Sequence, residues 1–226
     1  MSGTVFIVEK ISKAFGPQPV LRELSVSFNA GECTLLLGAN GAGKSTMLRI
    51  CSGLLRPDSG RVAVDGKRPV PSFIGYAGHL PLLYGALTVE ENLALLAQLG
   101  GVTTPLSEHL SRWELEVCRN RQINELSQGQ RSRAALARAF LQQPRFIFLD
   151  EPSSALDEHA FGLLRDAIAE CRNAVSDAAS VVIATHDITR MRPLASRAIV
   201  LNSGCIAADS CDAKDQVIAQ YMEANR

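Results

Sequence analysis

"GANGAGKST", residues 38–46, decides how this chain folds. It follows the apolar run "ECTLLL" and precedes "MLRICSGLL", so a buried strand leads into it and a helix leads out. Gly38, Gly43, Lys44 and Ser45 fit the pattern G-x-x-x-x-G-K-[ST] in the strand-to-helix context that gives the pattern meaning. Glycines let a backbone adopt positive φ and come close to a phosphate. The N–H groups of the loop and of the helix start then hold the anionic oxygens. The loop residues Gly38, Asn40, Gly41, Ala42, Gly43, Lys44, Ser45 and Thr46 are the candidate nucleotide cradle. Lys44 is expected to reach the β- and γ-phosphates, and the Ser45 hydroxyl to take a Mg²⁺ position.

A second stretch, "FIFLDEP" at 146–152, ends an apolar strand in two acids. The carboxyl end of a parallel strand opens into the ligand crevice. Asp150 is therefore the candidate Mg²⁺ ligand, directly or through water. Glu151 is the candidate general base that polarises the attacking water.

Working outward, Val5–Val8 and Leu24–Phe28 are expected as short strands, broken by Gly16-Pro17. A helix is expected over 44–55, and "RVAVDG" at 61–66 reads as a sheet-edge strand. Thr88-x-x-Glu91 and Ser127-x-x-Gln130 are capping boxes. They predict helices running to about Leu99, stopped by Gly100-Gly101, and to about Gln142, before Pro144. The stretch 102–125 is polar and helical in parts. Phe161, Leu164, Ile168 and Cys171 share one helical face. "SVVIATHD" and "RAIVLN" are two more strands, and a final helix carries Val217, Ile218, Tyr221 and Met222. Strand and helix alternate after residue 140, which predicts a parallel sheet covered by helices. The mainly helical segment 80–142 reads as an insertion between two halves of that sheet.

The bulk numbers set limits. The chain has 226 residues, and Lys plus Arg equals Asp plus Glu at 23 each, so no global positive field points to nucleic acid. No apolar run reaches the roughly 18 residues of a membrane span. "MSGTVFIVEKISK" has no apolar signal core. The expected place is cytosolic, docked on a membrane through a partner. Cys33, Cys51, Cys118, Cys171, Cys205 and Cys211 form no CxxC and no zinc spacing, so reduced, mostly buried thiols are expected.

"GANGAGKST", "LSQGQ" at 126–130, "FIFLDEP", "SALD" at 154–157 and "ATHD" at 184–187 stand in the order of an ATP-binding cassette ATPase, and the resemblance covers essentially the whole chain. It implies an α/β fold: a P-loop NTPase (RecA-like) parallel-sheet core with an antiparallel β-subdomain and an inserted α-helical subdomain. The implied division is 1–79 for the β-subdomain and the phosphate-loop part of the core, 80–142 helical, 143–212 for the rest of the core, and 213–226 for a terminal helix. It implies ATP and Mg²⁺ as ligands, and two cassettes that sandwich two ATPs head to tail. Ser127 and Gly129, with Gln130 beside them, would then bind the γ-phosphate held by the other copy. Phe15, in "KAFG", matches the residue that stacks on adenine, though a core phenylalanine is the alternative. Ser154–Asp157 resembles the loop that contacts the opposite site. His186 resembles the histidine that touches the γ-phosphate.

One position departs from the pattern. In "IGYAGHLPLLYGALTVEENL", residues 74–93, His79 stands where such ATPases normally offer a glutamine to Mg²⁺ and to the membrane partner. Neutral imidazole can accept from a Mg²⁺-bound water or donate to phosphate, as an amide does, and it also protonates near pH 6.5. The Gly78-His79 pair and its flanks resemble the ATPase subunit of the cytochrome c maturation haem exporter (CcmA type). That resemblance implies haem-exporter permease subunits as partners, peripheral attachment at the cytoplasmic face of the inner membrane, and haem export or release of a haem-loaded chaperone. An exporter of a lipid, drug or other small molecule is the alternative. A soluble cassette protein of translation or DNA repair is a remote one, because such proteins carry paired cassettes, coiled-coil insertions or basic arms. Leu80, Leu82, Leu83 and Tyr84 are either a docking wall for the membrane partner or subdomain core, with Leu83 and Tyr84 expected to be exposed.

Overall fold

The fold is that of a computed structural model, which describes residues 4–102, 105–174 and 178–225. Positions 1–3, 103–104, 175–177 and 226 of the expected segments lie outside these.

The strands are β1 (Val5–Phe15), β2 (Gln18–Asn29), β3 (Cys33–Leu37), β4 (Ser59–Val64), β5 (Ile74–Ala77), β6 (Phe146–Asp150), β7 (Ser180–Ala184), β8 (Arg197–Asn202) and β9 (Cys205–Ser210). The helices are α1 (Lys44–Cys51), α2 (Val89–Gly100), α3 (Leu106–Arg112), α4 (Gln128–Phe140), α5 (Glu158–Asn173), α6 (Ile188–Met191) and α7 (Lys214–Ala224). Among the described residues the strands form two sheets, a three-stranded antiparallel one ordered β2-β1-β4 and a six-stranded one ordered β5-β6-β7-β3-β8-β9. In the larger sheet β5, β6, β7, β3 and β8 are parallel, and β9 returns antiparallel along β8. The fold class is the expected one, a mainly parallel α/β core with a separate antiparallel sheet.

β6 shows why the larger sheet sits between two layers. Its five residues are all buried. Side chains alternate along a strand, so Phe146 and Phe148 face one core and Ile147 and Leu149 the other. On the first face Phe6 of β1 meets Phe146 at 5.1 Å and Phe148 at 5.3 Å between ring centroids, both edge to face. That contact, with Met47 and Leu48 of α1 in the same cluster, docks the small sheet onto the large one. On the second face Leu93, Trp113, Leu136, Leu164 and Ile168 close a helical layer.

Several expectations need adjusting. β1 and β2 extend to the Gly16 turn, because antiparallel pairing carries polar residues that sequence alternation alone discounts. α1 stops at Cys51, followed by Ser52 and the left-handed Gly53, rather than continuing to 55. Both capping boxes form: Thr88 and Glu91 exchange hydrogen bonds of 2.8 and 3.1 Å, Ser127 and Gln130 of 3.1 and 3.2 Å. Gly101 ends α2 in the left-handed conformation. Leu83, expected to be exposed, instead packs against the helical-side core, while Leu80, Leu82 and Tyr84 are exposed. Leu82 sits at φ +52°, so neither strand nor helix periodicity runs through this stretch. β5 and β9 were not foreseen. β5 is four residues long and contains Gly75, where a Cβ would lie 2.3 Å from the Ala139 carbonyl oxygen of α4. Close helix contact requires the glycine that hides the strand signal. β9 alternates only between exposed and half-buried positions, so it shows little apolar pattern.

Candidate functional site

β3 delivers the phosphate loop at the middle of the sheet, between β7 and β8. Gly38 has φ +151°, and a Cβ there would lie 2.4 Å from the Leu201 carbonyl oxygen. Gly43 precedes α1 at φ +106°, with Val20 O 2.9 Å from where a Cβ would stand. Neither position admits a side chain without moving backbone, so the loop's curvature belongs to the sequence. Lys44 is buried and folds back over this curve, its Nζ donating to Gly38 O at 2.6 Å and Ala39 O at 3.1 Å. Burial lowers the Lys44 pKa, and the nearby Glu151 and Asp150 carboxylates pull it up again.

The parallel register Asp150↔Ala184 brings the ends of β6 and β7 together. The Ser45 hydroxyl donates to Asp150 Oδ1 at 3.0 Å, a pair of hard oxygen donors of the kind Mg²⁺ prefers. Among the described residues no cluster of three or more His, Cys, Asp or Glu could hold a metal by itself. Mg²⁺ on this pair would therefore need oxygens from water or phosphate, its usual habit beside nucleotides.

Glu151 takes φ +54°, an uncommon conformation for a residue with a side chain. Its N–H donates to Ala184 O at 2.8 Å, and its carboxylate accepts from the Thr185 hydroxyl at 3.3 Å and from the His186 N–H at 3.1 Å. His186 Nε2 lies 3.3 Å from Glu151 Oε1. The carboxylate is thus held in place from the β7 end while it stays at the cleft surface.

These groups line one cleft of about 640 Å³, which includes Phe15, Asn40, Gly41, Gly43, Lys44, Ser45, Thr46, His79, Asp150, Glu151 and His186. Phe15 is half exposed at one end of it, with Lys13 Nζ 5.7 Å from its ring centroid. Gly38 and Ala42 are buried in the loop's wall. His79 also lines a neighbouring cavity of about 500 Å³ with Gln128, Arg131, Asp150 and Glu151. Ser127, Gly129 and Gln130 do not line the cleft; they stand at the start of α4, with Ser127 exposed. Gln18, Val20, Arg49 and Thr185 were not singled out from the sequence. Thr185 had a signal in hindsight, because it immediately precedes His186 at the end of a strand beside the one that ends in Asp150.

The match to a protein-family model is decisive: the model described as ABC transporter covers residues 21–154, from β2 through the phosphate loop and the Asp150-Glu151 pair. The chain belongs to the ABC transporter family.

Within that family it is 35% identical to a probable sulfate/thiosulfate import ATP-binding protein of Chlorella vulgaris, over 88% of each chain. It is 34% identical to the Nod factor export ATP-binding protein I of Rhizobium etli, over 86% of this chain and 64% of that one. Among solved structures, the ATP-binding subunit of an ABC transporter superposes with a TM-score of 0.88 at 26% identity, over 98% of this chain and 100% of that one. A dimeric ATP-binding cassette in a post-hydrolysis state with ADP and Pi gives 0.80 at 28% identity, over 91% and 98%. The chain is accordingly an ATP-binding subunit of an ABC transporter. Among its described residues no helix is long and apolar enough to cross a membrane.

Proposed function

We propose that the chain hydrolyses ATP as the Mg²⁺-dependent motor of a membrane complex that exports haem, or releases a haem-loaded chaperone, in cytochrome c biogenesis. The observation that carries the ATPase reading is the gathering of Lys44, Ser45, Asp150, Glu151 and His186 in one cleft. Lys44 and the N–H groups of residues 38–46 bind and orient the β- and γ-phosphates. Phe15 offers the adenine a face. Ser45 and Asp150 would hold Mg²⁺, which supplies charge neutralisation on the phosphate oxygens. Glu151 accepts a proton from water as the water oxygen bonds to the γ-phosphorus; the bond to the β-phosphate oxygen breaks, leaving ADP and inorganic phosphate. His186, beside Glu151, donates to the γ-phosphate.

Ser127, Gly129 and Gln130 belong to a second copy's nucleotide in this reading. Their position outside their own cleft supports a head-to-tail homodimer, as does the dimeric state of the solved relative. The cassette acts as one domain, with 80–142 as the helical part that faces the membrane subunits at the cytoplasmic face. Leu80, Leu82 and Tyr84 form the docking patch.

The haem assignment rests on Gly78-His79. His79 takes the glutamine's role, facing the nucleotide from the cleft wall and carrying its state toward the docking patch. His79→Ala and His79→Gln test it in the assembled complex. His79→Ala is expected to lower ATP turnover and cytochrome c assembly, with turnover better kept by His79→Gln; normal values of both measures for both variants would end this assignment. A second cargo class, a small molecule other than haem, is favoured by the names of relatives that handle sulfate and Nod factor. Co-purifying membrane subunits free of haem and of haem-handling proteins would establish that alternative.

A further inference from the structure

Tyr76 lies in β5, three residues before His79, and is buried. Its ring covers Gly78 so closely that a Cβ on that glycine would stand 2.3 Å from the Tyr76 oxygen and 2.8 Å from its Cζ. The hydroxyl faces the Arg49 guanidinium of α1. Arg49 is itself part of the cleft wall, alongside Lys44, Ser45 and His79. From the opposite side, Arg138 of α4 donates to the Tyr76 carbonyl oxygen. One residue thus faces the helix after the phosphate loop, is hydrogen-bonded to the helix that starts at Ser127, and covers the glycine before His79. Packing alone would need only the ring; the hydroxyl adds a directed link to the cleft.

We propose that Tyr76 is a positioning residue whose ring and hydroxyl, seated on Gly78 and facing Arg49 of the cleft wall, set where His79 stands in the cleft. The link makes the filling of the cleft beside Arg49 felt at the His79 turn. The inference rests on the reading of His79 given above. A misplaced group in a reaction site can cost up to about a hundredfold in rate, so loss of this one hydroxyl is expected to cost about tenfold.

Tyr76→Phe keeps the ring and removes the link. The full chain has four histidines, so imidazole ¹³C–¹H resonances can be followed individually. The His79 resonance should shift while those of His109 and His159 stay in place. In the same protein kcat for ATP should fall about tenfold with KM within about twofold, and Tyr76→Phe should add nothing in a His79→Ala background. Arg49→Met, made on an exposed helix position, should give the same shift and the same non-additivity. An unmoved His79 resonance, or a Tyr76→Phe loss that persists in full without His79, overturns the inference. His79→Ala turning over ATP normally overturns the reading of His79 itself and this inference with it. A lowered His79→Ala rate beside a normal Tyr76→Phe rate overturns the inference alone.

Discussion

Glu151 combines an uncommon backbone conformation with a carboxylate held by Thr185 and His186. A residue kept at φ +54° costs on the order of 1 kcal/mol or more, and such strain gathers where a side chain must be aimed. Glu151→Gln preserves shape and an acceptor for the His186 N–H but cannot take a proton from water. Turnover is expected to fall at least about a hundredfold, with a stable ATP-bound dimer visible by size-exclusion chromatography. Persistent full turnover would remove Glu151 from the role of base. At this scale the sequence was most readable where chemistry is local. The glycines of the phosphate loop, Lys44, Ser45 and the acid pair announce themselves by spacing. Thr185 and Arg49 do not, because only the fold brings them to Glu151 and to the cleft wall, and Tyr76 does not, because an i, i+2 contact with Gly78 has no sequence pattern.

Helices declared their starts clearly, since a capping box is written in four adjacent residues; strands were harder. Gly75 suppressed the signal of β5 because that strand must lie against α4. Leu83 could not be placed from pattern alone, because the left-handed Leu82 breaks the periodicity that assigns faces. The tie between α3 and α4 also has a pH consequence. His109 Nε2 meets the Ala137 carbonyl oxygen at 2.7 Å. Burial holds the His109 pKa below its ordinary 6.5, and Arg112 adds to that while the Ala137 bond opposes it. As pH falls below 6.5 the unfolded chain takes up this proton before the folded one does. The contribution of His109 is therefore complete above 6.5 and is lost as pH falls through the lower, folded value. The urea midpoint should drop between pH 7 and pH 5, and His109→Gln, which keeps an N–H for Ala137, should flatten that drop. An identical slope in the variant would contradict it.

Across the whole molecule, the cysteines report how the layers close. Cys33 and Cys51 lie in the two cores on either side of the main sheet. Burial pushes the Cys33 thiol up to about 12 and the Cys51 thiol higher still. Cys118 is also buried, whereas Cys205 and Cys211 are exposed. An aromatic disulfide reagent at neutral pH should label those two quickly and Cys33, Cys51 and Cys118 only on unfolding. Rapid labelling of Cys33 would mean that the sheet does not close as described. The expectation of mostly buried thiols held for the first three cysteines and failed for the last two. Edge strand β9 and the turn after it give a side chain little to sink into.

The strand order has a further consequence for synthesis of the chain. β3, which carries the phosphate loop, pairs with β7 and β8 among the described residues. On the ribosome it emerges as Cys33–Leu37 and waits until Ser180–Ala184 and Arg197–Asn202 have been made. The backbone clamp behind the loop, Gly204 N–H to Ala42 O, comes later again. The strand that carries the nucleotide loop is therefore made long before the strands and the clamp that fix it. Through the synthesis of residues 38–179 an apolar strand stands with both edges open, so nascent chains cut short before Ser180 are natural clients for chaperones.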